Sequence, residues 1–164
     1  DIILSIIDSP ISDIHTVGAP VITLLTDIAN ARIVFENGCT ANVSVSRVSL
    51  DNMRRMRIFQ PGRYLSVDFS KKEVMAVSLK QGDSKQIPLP HISRHGFKEL
   101  DVLELELCEF INNVKERCKP TVSGKEGRRA LAVALAVISQ IKENQNRFSH
   151  LLSAEGNFGF VNEP

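Results

Sequence analysis

Arg47 is the side chain whose surroundings most demand a chemical partner. It closes a strand pattern on the more apolar face, where an unpaired guanidinium would be costly. An anion must therefore meet it, and an internal salt bridge and a substrate contact account for that equally well. A second basic group, Arg54-Arg55-Met56-Arg57 with Lys71-Lys72 nearby, has the donors to grip phosphate. Alternation along a strand would instead send those charges to one solvated face. The four histidines, His15, His91, His95 and His150, lie far apart, and none has metal-ligand spacing with another His, Cys or carboxylate. An exposed or hydrogen-bonded histidine is the expectation for each. His91 and His95 are the pair to watch, because they fall on an expected loop before the first long helix, and loops carry function more often than strands.

Other chemistries are excluded by what is missing. A dinucleotide pyrophosphate is held where a strand, a glycine-rich turn and a helix follow one another. Gly156-Asn157-Phe158-Gly159 has the wrong spacing and no strand before it, and no phosphate-binding G-x-x-x-x-G-K loop occurs. The chain is thus expected to bind no nucleotide cofactor by itself and no metal. Twenty Lys and Arg against nineteen Asp and Glu leave no field to draw it to nucleic acid or an anionic membrane. No apolar run reaches the ~20 residues that cross a bilayer, and the opening residues lack a signal peptide. Cys39, Cys108 and Cys118 form no paired spacing, which fits a reducing cytoplasm. The sequon Asn42-Val43-Ser44 falls within a strand pattern and is read as chance.

The elements that position these residues follow from periodicity. Ile2, Ile3, Ile6 and Ile7 repeat at helical spacing until Ser9-Pro10, so the chain opens inside a helix and without an initiator Met, as if a segment preceded it. From Ile11 to about Leu79 the period is that of strands. Asn37-Gly38 between the runs Asp27–Phe35 and Cys39–Arg47 marks a tight hairpin. As a two-residue loop it pairs Glu36 with Cys39. Ile28, Val34, Ala41, Val43, Val45 and Arg47 then share the face expected to be core, and Ala29, Ala31, Ile33 and Phe35 lie on a mixed face with Thr40, Asn42, Ser44 and Ser46. Met56–Phe59, Tyr64–Phe69 and Val74–Leu79, with a turn at Pro61-Gly62, extend the meander. A turn at 81–84 and a short extended piece at 86–90 follow. The stripe Leu103, Leu107, Phe110, Ile111 and Val114 predicts a helix lying on a sheet face. The capping box Ser123-Gly124-Lys125-Glu126 opens a second helix with the stripe Ala130, Leu131, Ala134, Leu135, Ile138 and Ile141, running to about Asn144.

The fold class expected is therefore α+β: a large, mostly antiparallel open sheet of about six strands or more, backed by two or three helices. One sheet-forming domain over 1–145 and a tail or docking arm over 146–164 are the expected organisation.

Two stretches carry a family resemblance. Thr26 to Cys39, followed by Ala41 to Ser49, resembles the first sheet hairpin in the second domain of the glucose-fructose oxidoreductase and inositol dehydrogenase family, with its F-x-N-G before the returning strand. Pro120, Ser123-Gly124, Gly127 and Ala130-Leu131 resemble that family's P-x-x-S-G-x-x-G-x-x-A-L ending. The resemblance implies a dihydrodipicolinate-reductase-like carboxy-terminal domain without its Rossmann domain, in a parent that moves a hydride between NAD or NADP and a sugar, a cyclitol or a nucleotide-linked sugar. In the family a helix carries D-x-x-x-H-x-x-D. Asp1 stands in the place of its closing acid, so the catalytic His, first acid and Lys would precede Asp1. The sheet domain then supplies one wall of the substrate pocket, with Asp1, Asn30, Ser46, Arg47 and His91 as candidates, and the surface through which subunits pair. The alternative is a stand-alone, non-enzymatic binding or assembly module that uses the open sheet face.

Overall fold

The computed structural model describes residues 1–79, 90–97 and 101–154, with side chains as far as 147. The expected turn at 81–84, most of the extended piece at 86–90, the side chain of His150 and the glycine-rich end lie outside the described residues. The chain divides into two compact units, one made of 1–49 with the segment from 119 onward, the other of 50–118. Among the described residues there are seven strands in two antiparallel sheets and three helices.

The first unit holds α1 (Ile2–Ile6), β1 (Ile11–Ala19), β2 (Ile28–Phe35), β3 (Thr40–Ser46) and α3 (Gly124–Ala154), with sheet order β1-β2-β3. Its hairpin pairs Val34 with Thr40 and Ile33 with Ala41, one residue out of step with the pairing expected of a two-residue loop. The loop is Glu36-Asn37-Gly38, closed by the Phe35 N–H donating to the Cys39 carbonyl at 2.9 Å. Gly38 takes a φ of +83°, which only glycine adopts without strain, and Asn37 Oδ1 accepts from the Cys39 N–H at 3.0 Å. Asn-Gly serves two-residue and three-residue loops alike, and the extra residue exchanges the faces. The core accordingly lies on the side of Ala31, Ile33 and Phe35, which are 9, 5 and 1% exposed. Of the face expected to be core, Ala41, Val43 and Val45 stay on this side, opposite Ile33, Ala31 and Ala29, whereas Ile28 and Val34 fall on the other face amid polar neighbours.

Helix α3 attaches to this sheet at its edge. β1 is an edge strand, and its alternate carbonyls are capped by side-chain amides of α3. Gln140 Nε2 donates to the Ile14 carbonyl at 2.8 Å, Asn144 Nδ2 to Thr16 at 2.9 Å and Gln145 Nε2 to Gly18 at 3.2 Å. Ile141, 4% exposed, seats against Gly18, where a Cβ would come within 2.8 Å of the Ile141 Cγ2. The capping box forms as the sequence predicts. The Ser123 N–H donates to Glu126 Oε2 at 2.9 Å, and Ser123 Oγ accepts from the Lys125 N–H and also bonds the Glu126 carboxylate. The helix runs on past Asn144, and of its stripe Leu131, Leu135 and Ile138 remain half-exposed.

The second unit is the meander β4 (Arg55–Gln60), β5 (Arg63–Asp68), β6 (Glu73–Leu79) and β7 (Pro90–Gly96), followed by α2 (Val102–Glu116). Pro61-Gly62 makes the expected turn, with Gly62 at φ +70°. β7 is a correction to the sequence reading, which placed His91 and His95 on a loop. His91 pairs with Ser78 and His95 with Val74. Ile92 is the only large aliphatic in Pro-His-Ile-Ser-Arg-His-Gly, so the ladder to β6 rather than local periodicity makes this a strand. α2 is well capped, Asp101 Oδ1 accepting from the N–H groups of Leu103 and Glu104. Its apolar stripe, however, does not lie on a sheet face. Leu103, Leu107, Phe110, Ile111 and Val114 are between 47 and 65% exposed, and no residue of the helix is buried. Amphipathic spacing fixes that a helix has an apolar side, not that its own chain covers it.

Candidate functional site

The strongest polar constellation is built on Asp27, whose side chain is fully buried at the entrance to β2. The connection from β1 folds back over it. The N–H groups of Val21, Ile22 and Thr23 all donate to Asp27 Oδ2, at 2.9, 2.7 and 2.7 Å, and the Thr23 hydroxyl donates to Oδ1 at 2.8 Å. Arg47 completes the knot, its Nε donating to Asp27 Oδ1 at 2.7 Å and its Nη2 to Thr23 Oγ1 at 2.6 Å. The backbone N–H of Thr23, then that of Val21, outweighs burial and holds the carboxyl far below the ordinary carboxylate range, so it stays ionised. Arg47 thus has its anion within the chain, while its guanidinium remains about half exposed. The loop held in this way carries a bare aliphatic surface, with Val21, Ile22, Leu24 and Leu25 between 57 and 102% exposed.

The same unit has an open groove of about 580 Å³ whose lining includes Thr16, Asn30, Arg32, Ser44, Gln140 and Asn144. Ser44 Oγ donates to Asn30 Oδ1 at 2.7 Å across the hairpin. Because Gln140 and Asn144 are anchored through their amide nitrogens to β1, the directions of their amide oxygens are fixed. Thr16 Oγ1 and Gln140 Oε1 are buried without a hydrogen-bond partner. Amide and hydroxyl groups, with Arg32 and His15 also in the lining, suit a hydroxyl-bearing ligand.

The expected site residues do not gather at one place. Asn30 lines the groove, and Arg47 belongs to the Asp27 knot. Ser46 Oγ accepts from the Val48 N–H at 3.3 Å and from Ser49 Oγ at 2.8 Å, and so shapes the end of β3. Asp1 stands exposed at the start of α1 without a side-chain capping bond. His91 lies on β7 in the other unit. His15 contacts Asp13 Oδ2 at 2.8 Å, both largely exposed. No cluster among the described residues has the ligands for a metal ion. The sequence reading passed over Gln140, Asn144 and Thr16. The only signal of Gln140 and Asn144 was a run of amides at one boundary of the α3 stripe, and Thr16 on β1 had none.

No family sequence model matches the chain. It is 34% identical over 125 residues to the UDP-N-acetylglucosamine 3-dehydrogenase of Acidithiobacillus ferrooxidans, a match covering 76% of this chain and 40% of that protein. The solved structure of that dehydrogenase superposes with a TM-score of 0.78 at 31% identity, over 87% of this chain and 45% of the other. The aldose-aldose oxidoreductase of Caulobacter crescentus shares the fold, with a TM-score of 0.63 at 19% identity over 80% of this chain and 39% of its own. The chain therefore spans less than half the length of these relatives.

Proposed function

From a chain that corresponds to the carboxy-terminal, sheet-forming domain of the glucose-fructose oxidoreductase and inositol dehydrogenase family, we infer the role of a substrate-binding and self-association domain. The parent enzyme is an NAD- or NADP-dependent dehydrogenase that oxidises a CH–OH group of a sugar, a cyclitol or a nucleotide-linked sugar. The observation that carries this reading is the match to a UDP-N-acetylglucosamine dehydrogenase, which covers 76% of this chain in sequence and 87% in structure but less than half of that enzyme.

The division of labour follows from the residues. This chain has no glycine-rich turn to seat a pyrophosphate, so the cofactor is held elsewhere in the parent and the chain alone transfers no hydride. What it contributes is shape and fixed polarity. Asn30 in the groove, and Arg47 and Ser46 beside the Asp27 knot, are proposed as parts of the substrate wall, with Asp1 and His91 as further candidates. The unburied stripe of α2 and the strand surface of the two sheets support pairing of subunits. Three free, exposed cysteines are in keeping with the cytoplasmic setting proposed for the parent.

The coding sequence preceding Asp1 tests this reading directly. It should specify a strand, a glycine-rich turn and a helix, then a histidine three residues before Asp1. An open reading frame that starts at Asp1 would overturn it in favour of a stand-alone binding or assembly module, and so would reduction of NAD or NADP by this chain with any polyol.

A further inference from the structure

The basic cluster at the start of β4 is not absorbed by the reading above, and the structure sorts its members. Arg55 faces Asp68 across the β4–β5 ladder, its Nη2 donating to Asp68 Oδ2 at 2.7 Å. Asp68 Oδ1 in turn accepts from the Lys71 N–H at 3.0 Å, so both oxygens of that acid are engaged. The Arg55 hydrogen bond, ahead of the Lys71 N–H, holds the carboxyl below its ordinary value. Arg57 projects to the same side of the sheet as Arg55, two residues on. Arg54 is different. It precedes the strand, and its guanidinium has no acceptor among the described residues, although its carbonyl is fixed by the Phe69 N–H at 2.8 Å.

That backbone bond brings together the two sides of a recess of about 350 Å³, lined by Asn52, Arg54, Phe69 and Ser70. The four residues offer complementary chemistries. The guanidinium presents a planar fork of donors, which matches phosphate oxygens in two parallel bonds. The Ser70 hydroxyl and the Asn52 amide add neutral donors and acceptors. Phe69, 41% exposed, offers a flat apolar face on which a ring can stack. Inorganic phosphate would leave the ring bare. A peptide carboxylate would not use it either. A ring attached to phosphate uses all four.

We propose that this recess binds the nucleoside-phosphate part of a nucleotide-linked ligand, with the ring on Phe69, the phosphate on Arg54 and Ser70, and Asn52 at the edge of the base. The choice of uridine as the probe rests on the nucleotide-sugar reading above. The recess itself rests on its own geometry.

Titration of the chain with UDP, UMP, uridine and inorganic phosphate, followed by amide NMR shifts, tests it. Saturable shifts should centre on Asn52, Arg54, Phe69 and Ser70, with UDP bound at least about tenfold more tightly than uridine or phosphate alone. Arg54→Gln should lower UDP affinity about tenfold and leave uridine unchanged, whereas Phe69→Leu should weaken both by about tenfold. Arg57→Gln should change neither. No saturation by UDP up to about 10 mM, shifts centred elsewhere, or phosphate binding as tightly as UDP would overturn the assignment. If UDP-N-acetylglucosamine binds wild type and both variants equally, this recess is ruled out while the sugar-dehydrogenase reading stands. A parent gene without the cofactor half removes that reading whatever the recess binds.

Discussion

Asp27 carries a full charge into the interior of the first unit, and its dependence on acid can be worked out from its contacts. Hydrogen bonds that recognise only the ionised carboxylate depress its pKa in the folded chain, so the unfolded chain takes up a proton first as the solution is acidified. The stability this group contributes is complete above the unfolded value near 4 and drains away as pH falls from there toward the lower folded value. Asp27→Asn should therefore be less stable than wild type at pH 7, with the gap narrowing below about pH 4 and constant above about pH 5, as read from urea midpoints. Loss of the Val21, Ile22 and Thr23 N–H partners should also appear as faster amide exchange at those three positions.

Gly18 makes a different point about single residues. Its α-hydrogens lie where a methyl group would meet Ile141 Cγ2 at 2.8 Å and Thr26 Cγ2 at 2.9 Å. Gly18→Ala should cost about 1–3 kcal/mol by overpacking, and Ile141→Ala, which removes both Cγ2 and Cδ1, should cost less in the Gly18→Ala background than in wild type, in a double-mutant cycle by chemical denaturation. Sequence alone pointed to Arg47 as a residue in need of an anion. It did not identify the partner, because Asp27 lies twenty residues away and meets it only through the hairpin. The amides at Gln140 and Asn144 were illegible for a related reason. Polar residues on a helix flank read as solvated until an unpaired strand edge is placed beside them.

Among the elements, turns were the most legible and faces the least. Asn37-Gly38 and Pro61-Gly62 announce their hairpins because both glycines adopt positive φ. The same Asn-Gly pair suits a loop of two residues or three, and that one residue decides whether Ile33 or Val34 enters the core. β7 left almost no local trace, since its partner rather than its composition makes it a strand. α3 is tied to β1 by amide caps as well as by Ile141, and the two contributions separate experimentally. Gln140→Leu with Asn144→Leu should keep the apolar contact but leave the Ile14 and Thr16 carbonyls bare. We expect a loss of about 1–3 kcal/mol per exposed carbonyl, and earlier aggregation on heating, measured by turbidity, because the edge is then free to pair with another chain.

At the scale of the molecule, the distribution of burial separates the two units. Every buried residue among those described, from Ser9 to Ile141, lies in the first unit, and the second contributes none. Composition could not have foretold this, since 43% hydrophobic residues suffice for an ordinary core. A chain that leaves the α2 stripe exposed and, among the described residues, fully buries none of a four-stranded sheet should associate. Light scattering across a wide concentration range should show species larger than the monomer, and Leu107→Glu with Val114→Glu should shift the distribution toward monomer without changing far-UV circular dichroism. A monomer at every concentration would count against subunit pairing.

The amide caps along β1 also constrain how this sequence can vary. Successive helix residues are rotated by about 100° around the axis, so dropping a single position anywhere from 130 to 139 would swing Gln140, Asn144 and Gln145 off the strand together. Ile141 would leave Gly18 with them. Changes of length should therefore be tolerated before the capping box or beyond the last amide, and almost nowhere between, which makes that interval a ruler on which α3 measures its place against the sheet.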